Sequence, residues 1–126
     1  MSPKDLHDFY FEDLKWCGCG NPEEAMAFMA QVLGLLKLRS DENFSDHNVP
    51  FEQSAWAKRS KDLDEILGKG MLGLSYLYML DAHGLTEHGG NVNGSWLTEK
   101  GVKILAAIRA HNDTPWTEGY YEEVTQ

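Results

Sequence analysis

The chain is 126 residues long, enough for about one domain and enough to bury a core without help from disulfides or a metal. Its 42% hydrophobic and 25% charged residues exclude global disorder, and 20 acidic against 11 basic side chains leave −9, which weakens any reading in which the whole surface grips a polyanion. The longest nearly apolar run, residues 71–80, is about half the roughly twenty residues of a membrane span. Met-Ser-Pro-Lys-Asp-Leu at the start has no apolar stretch, so no secretory signal is expected. Cys17 and Cys19 stand one residue apart, which allows no disulfide framework and points to a cytoplasmic protein with reduced thiols.

In chain order, Ser2-Pro3 with Asp5 signals a helix start, and Leu6, Tyr10 and Leu14 at i, i+4, i+8 predict a helix over 3–15. Cys17-Gly18-Cys19-Gly20 breaks it. Asn21 as cap, Pro22 at the first position and Glu23-Glu24 in the first turn open a second helix, 22–38. Its apolar stripe is Ala25, Met26, Phe28, Met29, Val32, Leu33, Leu35 and Leu36, and Lys37 and Arg39 supply cations for the last turn. Residues 40–53 are polar, aperiodic and contain a proline, which predicts a long loop. Ser54 caps a third helix with Trp56, Leu63, Ile66 and Leu67 on one face, stopped by Gly68 and Gly70. Met71 to His83 reads as a helix apolar around most of its circumference, hence buried, ending at Gly84. Residues 85–87 and 95–97 pair as short strands around a turn signalled by Asn93-Gly94. Thr98 caps a last helix with Val102, Ile104, Leu105 and Ile108 on its core face, ended by Asn112-Asp113.

The order helix, helix, hairpin, helix over 54–112 rests on Leu77 to Glu87, a Gly/Asn turn, and Trp96-Leu97-Thr98-Glu99-Lys100-Gly101-Val102. It resembles the winged helix-turn-helix of MarR- or PadR-type regulators, in which a recognition helix ends in a Gly-Leu-Ile-like step, a wing follows, and Leu-Thr-x-x-Gly opens the next helix. The resemblance implies a winged-helix-like C-terminal half packed on the N-terminal helices. The expected fold is mainly α with a small β-hairpin, an α+β arrangement. One domain spans 1–113, with an acidic aromatic tail over 114–126.

Charge selects among the uses of such a scaffold. The segment 71–83 in the recognition-helix position has no Lys, Arg, Asn or Gln and carries Asp81, whereas base readout and phosphate anchoring rely on those residue types. The wing, 88–94, has no Lys or Arg. Residues 1–68 sum to −6 (7 basic, 13 acidic), 69–111 to +1 (4 and 3), and 112–126 to −4 (0 and 4). This pattern favours docking onto another protein, with Trp116, Tyr120 and Tyr121 as anchors among Glu118, Glu122 and Glu123. The alternative is a DNA-binding regulator, dimeric through its N-terminal helices, that uses Asn91 and Asn93 on the wing and Lys58, Arg59, Lys61, Lys100 and Lys103 at phosphates.

The most chemical-looking motif is Cys17-x-Cys19 before a helix N-terminus, where thiolate is favoured and zinc, copper(I) or disulfide exchange become available. Zinc needs two further ligands; His7 and His47 are at hand without diagnostic spacing, and a Gly-rich turn burying two small thiols is the plainer reading. His83, His88 and Glu87 form a second polar cluster, read chiefly as histidine at a helix end. Neither Gly-x-Ser-x-Gly, nor a phosphate-cradling glycine loop, nor His-Glu-x-x-His occurs. The expectation is a non-enzymatic protein without cofactor that acts as a regulator, adaptor or phage-type inhibitor.

Overall fold

The computed structural model describes residues 3–14, 22–42 and 49–110. Among these, α1 spans Pro3–Asp8, α2 Pro22–Glu42, α3 Ala55–Leu67, α4 Met71–Ala82 and α5 Glu99–Ala110. The fold is mainly helical, with a small antiparallel sheet of β1 (Thr86–Glu87) and β2 (Trp96–Leu97) in the register Thr86↔Leu97, Glu87↔Trp96. The chain parts into two compact units, one from residues 1–31 with 103–126 and one from residues 32–102.

In the first unit the helix expected over 3–15 is α1 followed by a widened turn over Phe9–Asp13, in which the Leu14 N–H reaches back five residues to the Phe9 carbonyl at 2.9 Å. Leu6, Phe9, Tyr10 and Leu14 are all buried along it. Met26 and Met29 of α2 and Ile104, Leu105, Ala107 and Ile108 of α5 are buried in the same unit.

In the second unit α2 continues to Glu42, past the predicted end at residue 38, so the expected loop over 40–53 loses its first residues to helix. Lys37 pairs with Asp41 at 2.6 Å, one helical turn on, which supports the extension. The same loop also contains one 3₁₀ turn over Phe51–Gln53. Ser54 caps α3 as its sequence predicts: its Oγ accepts the Ala57 N–H at 3.1 Å. Gly68 closes α3 at φ 78°, a conformation that glycine adopts without a Cβ penalty.

The expectation that α4 is buried all round is corrected. Gly73, Leu77 and Leu80 are buried, at i, i+4 and i+7, while Met71 (76% exposed), Leu72 (88%) and Tyr78 (53%) face outward. A helix needs only one stripe for its core, and here the other stripe is apolar as well. Its C-terminus forms a two-bond αL stop: the Gly84 N–H donates to Asp81 O and the Leu85 N–H to Leu80 O, both at 3.0 Å, with Gly84 at φ 75°. Leu80 and Leu85 are both fully buried there.

The turn signalled by Asn93-Gly94 is present between the strands, in a form other than a two-residue hairpin loop. Neither residue takes the left-handed conformation of a two-residue hairpin; among the described residues the positive-φ glycines are Gly68, Gly70 and Gly84. Instead the Asn91 side chain accepts the Asn93 N–H at 2.9 Å and opens a 3₁₀ turn over Val92–Gly94, which buries Val92. The strands are accordingly two residues each rather than three.

The end of α4 is stitched to the start of α5. The Thr98 N–H donates to Leu85 O at 3.0 Å, Thr98 Oγ1 donates to Gly84 O at 2.6 Å and accepts the Gly101 N–H at 3.1 Å, and Lys100 Nζ reaches His83 O at 3.0 Å. Gly101 packs so closely that a Cβ there would overlap the Leu85 carbonyl. Gly101→Ala is therefore expected to cost about 1–3 kcal/mol, read by urea denaturation, because backbone must move. Gly90→Ala, whose Cβ meets nothing within 4 Å, is expected to stay within about 0.5 kcal/mol. Equal effects would show that the stitch does not constrain the fold.

Candidate functional site

Arg39 lies on the core side of α2, at i+7 from Val32 and i+3 from Leu36, and is 2% exposed. It is not the solvated last-turn cation that its position suggested. Its Nη1 donates to Ser60 Oγ of α3 at 3.1 Å and its Nη2 to the Ser95 carbonyl before β2 at 2.9 Å. Its Cζ sits 4.3 Å from the centroid of the Trp56 ring. Nε is buried without an acceptor, and every partner of the guanidinium is electrically neutral. Burial lowers the Arg39 pKa to about 10, opposed by the field of Asp64. The group is still a cation at neutral pH.

Arg39 borders a cavity of about 510 Å³ within the second unit. Trp56, Leu63 and Leu67 of α3 and Leu74 and Leu77 of α4 supply apolar wall. Ser60, Asp64, Lys69, Asn91 and Asn93 add polar groups. The turn 68–70 between the helices borders it too, and Gly73 is packed against that turn so that a Cβ would collide with Gly68 O. α4 starts here at Gly70 without a side-chain cap.

A second feature is the outward stripe of α4, where Met71, Leu72 and Tyr78 are exposed and no cation is present. One turn past Tyr78, Asp81 pairs with His88 Nδ1 at 3.3 Å, and the His88 ring lies edge-on to Tyr78 with centroids 6.1 Å apart.

The structure treats the sequence candidates unevenly. Arg59 is held by Glu42 and Asp62, each at 3.3 Å, and its hydrogen bond to Glu42 raises its pKa above the usual arginine value. Lys100 is engaged with His83 O, and the Asn91 oxygen with its own turn. Lys58, Lys61 and Asn93 are exposed on the second unit, and Lys103 is exposed on α5. His83, His88 and Glu87 do not form a ligand set: among the described residues no three His, Cys, Asp or Glu side chains are placed to hold a metal. Also among them, no helix is long and apolar enough to cross a membrane. Cys17, Cys19, His47, Trp116, Glu118, Tyr120, Tyr121, Glu122 and Glu123 lie outside the described residues.

Sequence reasoning missed the Arg39 cavity altogether. The available signal was the spacing Val32, Leu36, Arg39, which places a cation on a stripe otherwise filled by apolar residues. No family model, no curated protein and no solved structure matches the chain.

Burial also raises the pKa of Tyr76 on α4 above its ordinary value. A raised folded-state value means that the neutral phenol supports the fold below about pH 10, and that this support is lost as pH climbs beyond it. In an alkaline titration followed by tyrosinate absorbance, Tyr76 is expected to ionise only as the helical signal collapses. Tyr76→Phe should reduce the absorbance change of that late step by one tyrosine. Ionisation of all five tyrosines before unfolding would refute this.

Proposed function

We propose that the protein is a non-enzymatic binding module that docks onto another protein through a winged-helix-like scaffold. α3, α4, the hairpin and α5 follow one another in the order such scaffolds use, and the Leu97-Thr98 step opens α5 with the Thr98 cap. The observation that carries the reading is the outward stripe of α4. A helix in the recognition position that displays Met71, Leu72 and Tyr78, and no Lys, Arg, Asn or Gln, suits an apolar groove rather than a phosphate backbone. The partner is a protein that offers an apolar groove with a basic rim, complementary to a chain of net charge −9. The acidic aromatic segment 114–126, with Trp116, Tyr120 and Tyr121, supplies a second contact.

Two measurements test this. A photo-crosslinking residue placed at Leu72 is expected to trap one protein in the native cell, and the same residue at exposed Glu65 on α3 is not; Met71→Asp should abolish the trapping. Random duplex DNA at about 50 mM salt and micromolar protein is expected to show no retention. Retention that falls steeply with salt, or equal crosslinking from both positions, would overturn the reading in favour of DNA contact or non-specific stickiness.

A further inference from the structure

We propose that the cavity beside Arg39 is a binding site for a small aliphatic monocarboxylate. The inference is independent of the docking stripe on α4, since the lining residues and the stripe are distinct side chains.

A guanidinium removed from water is costly unless an anion compensates it, and the field of exposed Asp64 compensates Arg39 only in part. Arg39 is 2% exposed, yet Ser60 Oγ, the Ser95 carbonyl and the Trp56 ring are all neutral. These contacts use two of its five N–H donors, and Nε–H is among the remaining three. A carboxylate in the cavity that Arg39 borders adds counter-charge to it.

The cation borders a cavity of ligand size. About 510 Å³ falls in the range of small-molecule sites, and the leucine wall suits an aliphatic body rather than a hydrated ion. α4 opens on the same cavity at Gly70 without a side-chain cap, so its first amides add partial positive charge.

Asp64 lines the same cavity and is exposed, and its field already acts on Arg39. It opposes a dianion such as a phosphate monoester more than a monoanion. Asp64 is thus the resident counter-charge with which a bound carboxylate competes.

Octanoate is the first probe, titrated into the full chain and followed by calorimetry and by amide resonances of residues around the cavity. Binding is expected, with shifts centred on Trp56, Leu74 and Asn93. Octanol, octylammonium and octyl phosphate are expected to bind at least ten-fold more weakly. Arg39→Met should weaken octanoate at least ten-fold. Because that variant also removes the Ser95 and Ser60 contacts, Leu74→Trp, which fills the cavity and leaves Arg39 intact, provides a second readout and should weaken binding as much. Asp64→Asn should tighten octanoate several-fold.

Equal affinity for octanoate and octanol would reduce the site to an unselective apolar cleft and overturn the proposal. So would the absence of any shift with straight-chain carboxylates of four to ten carbons, or an Asp64→Asn variant that loses binding. In those cases Arg39 is a structural staple between α2, α3 and the hairpin.

Discussion

A buried guanidinium joins distant segments of the second unit. Arg39 ties three segments that are far apart in sequence: α2, the first half of α3 through Ser60 and Trp56, and the approach to β2 through the Ser95 carbonyl. A leucine at this position would fill space but would leave Ser95 O without its donor, and a buried carbonyl without a donor is costly. Only a long, forked, multi-donor side chain serves a hydroxyl, a carbonyl and an aromatic face at once. The arrangement satisfies the partners better than it satisfies Arg39. That imbalance separates it from an ordinary core contact and leaves a cation at the wall of a cavity.

The other organising contact is backbone. The αL stop at Gly84 turns the chain out of α4, Leu85 enters the core, and its carbonyl receives Thr98 from the start of α5. Gly101 lets α5 approach that carbonyl closely. With both ends of the hairpin thus held, two-residue strands suffice, though so short a ladder is marginal alone. The consequence for function is rotational. α4 is fixed with Gly73, Leu77 and Leu80 inward, so Met71, Leu72 and Tyr78 are displayed as a set.

Much of the helical plan was legible in local chemistry. Pro22, Ser54, Gly68, Gly84 and Thr98 act where their side chains or φ preferences say they should, because caps and stops depend on a few adjacent residues. The failures have different causes. Asn93-Gly94 has the composition of a hairpin turn, but Asn91 two residues earlier captures the Asn93 amide and a 3₁₀ turn wins. No local signal encodes the widened turn at Phe9–Asp13. α4 defeated a periodicity argument because both its faces are apolar, so the sequence carried no contrast to read.

What can be read from the order of residues here is the set of helices, their punctuation, the acidic balance and the lack of cations in the segment 71–83. Those properties are local or additive, and need no knowledge of neighbours. The burial of Arg39, the cavity it borders and the side of α4 left in solvent belong to the folded arrangement. Each depends on which residues meet from positions twenty to sixty apart, as Ser60 and Ser95 meet Arg39 across 21 and 56 residues of chain. Pairing over such distances is a property of packing, and a single sequence records it only as one arginine on an apolar stripe.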